Sequence, residues 1–247
     1  MCNLKVFEIE NICYSYPDGT KALSGLSFSV NEDEVIGIAG ANGSGKSTLL
    51  MLMMGCLSPS NGMITYRGKV FTRDTVRSMR RETGLLFQDP DDQLFLPTVW
   101  EDVAFGPRNL GLTEAEVGSR VEKAICDAGI EALAKKAPWK LSGGEKTLAA
   151  LAGLFAMKPK TLLLDEPTSG LDPKSRRKLI SIIGRTDITV VVATHDLDMV
   201  LDVCKRVMIM KNGMIDSDGD VPGVLKDKEY MESCGLELPL SLAGRSD

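Results

Sequence analysis

The order of apolar and polar residues predicts an alternation of buried strands and amphipathic helices. Residues 4 to 39 indicate short strands, with turns at PDG (17 to 19) and NED (31 to 33). The last of these strands, EVIGIAG (34 to 40), is apolar on both faces. Such a strand lies inside a sheet that is covered on both sides, which is typical of parallel strands in α/β folds.

Two later segments have the same character, TLLLD (161 to 165) and ITVVVAT (188 to 194). Each is followed by polar residues and then by a helical pattern. That alternation predicts a mainly parallel sheet, whose ligands lie beyond the carboxyl ends of the strands. All three strands end in polar segments, so we expect those segments to converge on one site.

Between about residues 89 and 150 the pattern becomes mostly helical, and Thr113 and Glu116 have the spacing of a capping box. We interpret this stretch as a helical lobe inserted into an α/β core of approximately residues 1–88 and 151–220. Asn212-Gly213 lies between apolar runs and predicts a hairpin. Residues 221–247 form a C-terminal tail, and the whole chain, 1–247, is predicted to be a single domain.

Charge and hydropathy exclude several classes of protein. The 29 Lys and Arg residues against 34 Asp and Glu residues give a net charge of −5, which disfavours broad binding to nucleic acid. The N-terminus lacks the basic start and uninterrupted apolar core of a signal peptide. The apolar stretch LLMLMMGCL (49 to 57) is shorter than the ~20 residues that cross a bilayer. We therefore expect no membrane span.

The cysteines show no C-x-x-C spacing, and mostly apolar neighbours suggest small buried side chains with reduced thiols in the cytosol. They are Cys2, Cys13, Cys56, Cys126, Cys204 and Cys234. The only histidine, His195, leaves almost no material for a Cys/His zinc site.

Residues 40 to 48, GANGSGKST, fit G-x-x-x-x-G-K-[ST] between the buried strand and a helical run. Its glycines let the loop turn its N–H groups toward phosphate, while Lys46 would reach the β and γ phosphates and Ser47 would bind Mg²⁺. An ordinary glycine turn is the alternative, but the flanking strand and helix favour a nucleoside triphosphate. The residues expected to hold it are Gly40, Asn42, Gly43, Ser44, Gly45, Lys46, Ser47 and Thr48.

Two further motifs suit phosphate chemistry. In TLLLDE (161 to 166), Asp165 suits a role beside Mg²⁺ and Glu166 can orient and partly deprotonate an attacking water. In LSGGE (141 to 145), Ser142 and the following helix N-terminus can form a second anion cradle. A plain N-cap with a capping box from Ser142 to Glu145 is a good local explanation of the second motif.

The order of GANGSGKST, LLFQDPDDQLF, LSGGE, TLLLDEPTSGLD and ATHD resembles the nucleotide-binding subunit of an ATP-binding-cassette transporter. The resemblance extends from about residue 4 to 218. Within that family YSYPDGTKAL, FQDPDDQLFLPTVWEDVAFGP and THDLDMVLD are most similar to the energy-coupling-factor importers, including the cobalt and nickel type. The implied fold is a P-loop NTPase core with a mainly parallel sheet, an N-terminal antiparallel β subdomain and an inserted helical lobe.

The resemblance also implies residue roles. Tyr16 would stack on adenine, with Tyr14 as the alternative, although either ring also suits the core. Gln88 would touch Mg²⁺ or its water and lie where a membrane partner docks. His195, which by itself would more often be a structural residue, would contact the γ-phosphate and the attacking water.

Members of the family work as head-to-tail dimers that enclose two ATP molecules. By this resemblance Ser142, Gly143 and Gly144 would hold the γ-phosphate bound by the opposite subunit, and Asp172 would cross the interface. Asp172-Pro173 is also a good helix start, with Asp as N-cap and Pro at N1. The two roles of Asp172 are compatible.

The implied function is an ATPase that uses ATP and Mg²⁺ to power import of a small solute, a metal ion or vitamin. It would be peripheral at the cytoplasmic face of the membrane, as a homodimer or as a heterodimer with another ABC ATPase, on integral membrane transporter subunits. One alternative is a mainly structural cassette paired with a different catalytic one. Another is a soluble ABC ATPase outside transport.

One departure from the family pattern follows the signature motif. Glu145 and then Lys146-Thr147-Leu148 stand where a glutamine and a stretch with Gln-Arg are usual. Without the arginine near position 148 the helix loses a charge-assisted hydrogen bond that could anchor it. We expect a functional cradle with altered tuning.

Overall fold

The computed structural model describes residues 4–242. The chain divides into two compact units. The first comprises residues 4–80 and 187–242, and the second comprises residues 81–186.

The strands follow the predicted order along the chain. They are β1 (Lys5–Ser15), β2 (Lys21–Asn31), β3 (Val35–Ala39), β4 (Asn61–Tyr66), β5 (Lys69–Val70), β6 (Thr83–Leu86), β7 (Thr161–Asp165), β8 (Thr189–Thr194), β9 (Arg206–Lys211) and β10 (Met214–Asp220).

The helices lie between and after these strands. They are α1 (Lys46–Met53), α2 (Arg73–Met79), α3 (Val99–Asn109), α4 (Glu114–Asp127), α5 (Gly143–Ala156), α6 (Pro173–Ile183), α7 (Leu197–Val203), α8 (Val221–Leu225) and α9 (Lys228–Ser233).

The first unit contains an antiparallel sheet with the strand order β2-β1-β4-β5. Alternating residues of β1 and β2 point into its core, among them Phe7, Ile9 and Leu26, which are almost fully buried. Burial of one sheet face fixes the register, because a slip of one residue would turn every apolar side chain outward.

The same unit contains strands in the order β10-β9-β3-β8, of which β3 is parallel to both β8 and β9. Ile36, Ile38 and the valines of β8 have no exposed surface, as expected for strands covered on both faces. The predicted hairpin joins β9 to β10, and Asn212 and Gly213 both have positive φ.

The second unit contains the parallel pair β6 and β7 together with α3, α4, α5 and α6. The helical lobe expected over residues 89 to 150 corresponds to α3, α4 and most of α5. Helix α4 begins with the predicted capping box of Thr113 and Glu116 and buries one face, including Val117 and Val121. Thus the compact unit is larger than the predicted lobe, because two strands and α6 belong to it.

No helix within residues 4–242 is long and apolar enough to span a membrane.

The strand directions agree with the α/β expectation. The N-terminal sheet is antiparallel, whereas β3 is parallel to β8 and β9, and β6 is parallel to β7.

The cysteines were expected to be mostly buried, and this is wrong for two of them. Cys204 and Cys234 are buried, Cys13 is intermediate, and Cys56 and Cys126 are exposed free thiols. Cys126 lies on the outer face of α4, opposite the buried residues of that helix. Apolar neighbours in sequence do not imply burial, because helical periodicity separates adjacent residues onto different faces. Cys2 lies outside the described residues.

Thiol labelling should distinguish these positions. Burial raises the pKa of the Cys204 thiol to about 12, so near neutral pH it is protonated as well as inaccessible. We expect iodoacetamide to modify Cys56 and Cys126 in the native protein and Cys204 only after denaturation, as measured by peptide mass spectrometry. Equal native labelling of Cys204 and Cys126 would contradict the burial.

Candidate active site

The glycine-rich loop connects β3 to α1 in the first unit. Gly45, the residue before the helix, has φ of 105°, which favours glycine. A Cβ at this position would lie 2.7 Å from the carbonyl oxygen of Ala22. Both its conformation and its surroundings therefore require glycine where the loop turns into the helix.

Lys46 folds back over this loop. Its Nζ donates to the carbonyl oxygens of Gly40 at 2.7 Å and Ala41 at 3.2 Å, and the residue is 6% exposed. Burial of the stem directs the ammonium group into the concave side of the loop. There it can exchange backbone carbonyl oxygens for phosphate oxygens with little side-chain movement.

The register of two parallel strands brings His195 to the loop. Ala39 of β3 and Thr194 of β8 are Cα partners, so the chain leaves the two strands at the same edge. His195, Ala41 and Asn42 line one cavity of about 380 Å³. The prediction that these strand ends converge is confirmed within the first unit.

The backbone after His195 is held by its neighbours. The N–H of Asp196 donates to Thr194 Oγ1 at 2.9 Å. The Asp196 carboxylate then accepts from the N–H of Met199 at 2.9 Å and so caps α7. These two bonds hold the short connection in which His195 lies.

Tyr16 lies beside the start of α1. Its hydroxyl group and Thr48 Oγ1 are 2.9 Å apart, and the residue is 39% exposed. Tyr14 meets the Tyr16 ring edge-on, with ring centroids 5.1 Å apart. Between the two candidate rings, Tyr16 is therefore the one bonded to the nucleotide motif, and Tyr14 supports it.

The second unit repeats the strand-edge arrangement. Leu86 of β6 and Leu164 of β7 are Cα partners in a parallel pair, so Gln88 and the acids Asp165 and Glu166 follow the strands at one edge. Both acids are buried, whereas Gln88 is exposed.

Glu166 has an unusual backbone conformation. Its φ is 44°, in the left-handed region that residues with a Cβ rarely occupy. The carbonyl oxygen of Glu166 accepts from the N–H of Ser169 at 3.0 Å, which closes the turn after the strand. A strained residue held by its surroundings is frequent at functional positions.

Gln93 was not identified from the sequence. Its Nε2 donates to the carbonyl oxygen of Leu85 at 2.8 Å, and its Oε1 accepts from the N–H of Phe87 at 3.0 Å. One amide thus supplies both the donor and the acceptor that a neighbouring strand would supply. These bonds fix the end of β6, after which Gln88 follows. In the sequence, the second glutamine of QDPDDQ (88 to 93) was the feature that could have identified this residue.

The signature motif begins α5, and its capping box is present. Ser142 Oγ accepts from the N–H of Glu145, whose carboxylate accepts from the N–H of Ser142. The structural explanation of Ser142 is therefore correct locally. It is compatible with a phosphate role, since the hydroxyl hydrogen remains to be donated.

Asp172 caps α6, with Pro173 at its first position. Its carboxylate accepts from the N–H groups of Lys174 and Ser175 and from the Ser175 hydroxyl group. The hydrogen bonds from Ser175 hold the pKa of Asp172 below its usual value.

Gly144 of α5 packs against the start of α6. A Cβ on Gly144 would lie 2.5 Å from Ser175 Oγ, whereas a Cβ on Gly143 would meet nothing closer than the Gly170 carbonyl oxygen at 4.0 Å. The signature motif and Asp172 are therefore brought together within the second unit, and the contact runs through Gly144.

The departure after the signature motif has a structural explanation. Lys146 Nζ contacts both carboxylate oxygens of Asp91, at 2.6 and 2.7 Å, and so ties α5 to the segment after Gln88. Leu148 is 4% exposed and packs in the interior. In this chain the anchoring ion pair of the helix lies at position 146 rather than 148.

Leu148→Arg should accordingly destabilise the second unit. It would bury a guanidinium group in an apolar environment, which we expect to lower the free energy of unfolding by about 3 kcal/mol or more. Leu148→Met, the matched control, should cost less than about 1.5 kcal/mol. Both tryptophans, Trp100 and Trp139, lie in this unit, so guanidinium unfolding followed by tryptophan fluorescence measures it. Equal stability of the two variants would show that an arginine finds a partner there.

Comparison with known proteins agrees with this arrangement of motifs. A family model described as ABC transporter matches residues 23–169. A putative ABC transporter ATP-binding protein from Geobacter sulfurreducens is 44% identical over 97% of this chain and 96% of its own length. The energy-coupling factor transporter ATP-binding protein EcfA from Methanococcus maripaludis is 41% identical over 96% of this chain and 87% of its own length.

Solved structures show the same fold. The structure of cbiO1 from Clostridium perfringens, part of the ABC transporter complex cbiONQ, has a TM-score of 0.82 and 39% identity, covering 95% of this chain and 96% of that one. A dimeric post-hydrolysis state of the ATP-binding cassette MJ0796, bound to ADP and Pi, has a TM-score of 0.80 and 26% identity, covering 87% of this chain and 98% of that one.

The implied P-loop NTPase fold, with its antiparallel N-terminal sheet and helical lobe, is thereby confirmed. The family model covers more than half of the 247 residues, and the relatives align over nearly the whole chain. The chain therefore belongs to the ABC transporter family, as an ATP-hydrolysing cassette related to the energy-coupling factor ATP-binding proteins.

Proposed function

We propose that this cassette powers the import of a small solute, a metal ion or vitamin, through a separate membrane complex. The observation that best supports ATP-driven chemistry is the register of β3 and β8, which brings the glycine-rich loop and His195 to one cavity. Similarity to EcfA and to cbiO1 supports the importer class. The solute class rests on that similarity.

ATP binding is assigned to the first unit. The loop N–H groups and Lys46 hold the phosphates, and Tyr16 stacks on adenine while its hydroxyl group stays bonded to Thr48. On the family resemblance we assign Mg²⁺ binding to Ser47, Gln88 and Asp165, since hydroxyl, amide and carboxylate oxygens suit this ion. When bound, the ion neutralises charge that develops on the phosphates.

Hydrolysis is assigned to Glu166 and His195. The Glu166 carboxylate accepts a proton from the attacking water. The water oxygen bonds to the γ-phosphorus, and the bond from that phosphorus to the oxygen bridging to the β-phosphate breaks, which releases ADP. His195 contacts the γ-phosphate and keeps the water in line. No covalent intermediate on the protein is needed.

The site is completed by a second cassette. Ser142, Gly143 and Gly144 bind the γ-phosphate held by the opposite subunit, and Asp172 lies at the interface between subunits. Exposure of Ser142 and Gly143 at the start of α5 is consistent with this role. The dimer of MJ0796 supports pairing between two cassettes, and we propose that the second is another copy of this chain or another ABC ATPase.

A membrane subunit is the second partner. Phe95 and Phe105 are 62% and 45% exposed and contact each other edge-on, with centroids 5.1 Å apart. They lie 7 and 17 residues after Gln88 in the same unit and offer an apolar anchor to a helix of an integral membrane subunit. The complex to which cbiO1 belongs supports such a partner. The cassette would then lie peripherally at the cytoplasmic face of the membrane.

Two other functions are less well supported. A mainly structural cassette paired with a catalytic one would not need both Glu166 and His195. A soluble ABC ATPase acting on nucleic acid is disfavoured by the net charge of −5.

Replacing the proposed base separates binding from turnover. Glu166→Gln should lower the ATPase rate about 10²- to 10³-fold with nucleotide affinity retained, because only a transition-state interaction is lost. Light scattering of this variant with ATP but no Mg²⁺ should show a shift from monomer to dimer. Wild-type turnover in Glu166→Gln would remove this residue from the mechanism, and a persistent monomer that binds ATP would exclude a self-sufficient homodimer.

The aromatic pair can be tested against another exposed aromatic residue of the same unit. Phe95→Ala with Phe105→Ala should abolish co-purification with the membrane subunits and leave the ATPase rate of the isolated cassette unchanged. Trp139→Ala is the matched control, since Trp139 is 69% exposed and stands outside the pair. Undiminished co-purification of the double variant would exclude the pair as the anchor.

A further inference from the structure

The C-terminal segment (residues 234–242) is bound to the first turn of α7 by one carboxylate. Asp198 accepts hydrogen bonds from the N–H of Leu240 at 2.9 Å, from the N–H of Ser241 at 3.1 Å and from Ser241 Oγ at 2.6 Å. The Leu242 N–H closes a turn onto the Pro239 carbonyl oxygen at 2.9 Å. That turn directs two successive N–H groups at Asp198, and the carboxylate accepts a hydrogen bond from each.

The other end of the C-terminal segment lies at the glycine-rich loop. Cys234 and Leu236 are buried, and the N–H of Leu236 donates to the Met231 carbonyl oxygen at 2.9 Å. A Cβ on Gly235 would be in van der Waals contact with Ala41 Cβ, at 3.4 Å. The segment therefore runs from the loop to α7 and is fixed at both ends.

This course makes the C-terminal segment a wall of the cavity that His195 lines. The cavity of about 380 Å³ has three walls: Ala41 and Asn42 of the loop, residues 195–198, and residues 235–240. Asp198 closes the contact between the second wall and the third. It lies three residues after His195, in the helix whose cap, Asp196, also holds the His195 backbone.

We propose that Asp198 is a positioning residue for ATP hydrolysis, which fixes His195 relative to the glycine-rich loop by binding the C-terminal segment. This inference rests on the proposed contact of His195 with the γ-phosphate. Without the bonds to Asp198, the turn at 239–242 and the first turn of α7 lose their common anchor. His195 then samples positions away from the phosphate, and a misplacement of about 1 Å can cost up to 10²-fold in rate.

The charge of Asp198 suits this role. Partial burial alone would raise the pKa of its carboxyl group, but hydrogen bonds from Ser241 and Leu240 outweigh that effect and the nearby negative charge of Asp196. The net result is a pKa below the usual value. The carboxylate therefore stays ionised and its bonds stay charge-assisted.

Steady-state kinetics test the proposal in the full-length protein. Asp198→Ala should lower kcat by between about 10- and 100-fold at unchanged KM for ATP, because nucleotide binding is assigned to other residues. Asp198→Asn keeps an acceptor oxygen and should retain an intermediate rate. Asp202→Ala, which removes an exposed carboxylate one turn further along α7, is the matched control and should have the wild-type kcat.

Two further readouts separate positioning from general stability. Ser241→Ala should lower kcat less than Asp198→Ala and have no additional effect in the double variant, because both residues act through one contact. Hydrogen exchange in Asp198→Ala should increase at residues 195–199 and 236–241 and stay unchanged in α1. A merely structural Asp198 would instead lower Tm, ATP affinity and kcat together.

The outcomes also distinguish this inference from the function on which it rests. A folded Asp198→Ala protein with wild-type kcat would overturn the positioning role and leave the proposed ATPase mechanism intact. Full turnover in His195→Ala would remove the basis of both the His195 assignment and this inference.

Discussion

The parallel pairing of β3 with β8 is the constraint on which the arrangement of the first unit depends. Both strands are buried on both faces, so neither has a solvent-facing side that would tolerate another register. A shift of two residues would keep the side-chain faces but would move His195 by about 6.6 Å along the sheet, away from the loop. Gly37 at the centre of β3 also matters, because a Cβ there would lie 3.1 Å from Val200 of α7. Core packing thus determines how far His195 lies from Lys46.

Features that depend on a few neighbouring residues could be predicted from the sequence. The capping boxes at Thr113 and Ser142, the hairpin at Asn212-Gly213 and the N-cap at Asp172 are present as expected. Each is determined by hydrogen bonds within about four residues, so the local sequence contains the necessary information. The buried strands were equally clear, since continuous apolar runs between turn signals indicate sheets covered on both faces. The assigned roles of the site residues stay predictions.

Features that depend on distant contacts were missed. Lys146 and Asp91 are 55 residues apart, and Asp198 and Ser241 are 43 apart, so no local pattern links either pair. The burial expected for Cys126 was wrong, because most nearby residues are apolar but the face of α4 that carries Cys126 is not buried. Side-chain pairs of this kind appear only when the fold has brought separate segments together.

The two glycines of the signature motif are glycines for different reasons. At Gly144 the reason lies within the chain, because Ser175 at the start of α6 occupies the space a side chain would need. At Gly143 the surrounding space is open, so packing within the described part of the chain does not require glycine there. A substitution at position 144 would therefore disturb the packing of α5 against the start of α6, apart from any effect on the proposed phosphate contact. Position 143, where a side chain has room, is the one at which substitution tests the proposed contact with a partner molecule.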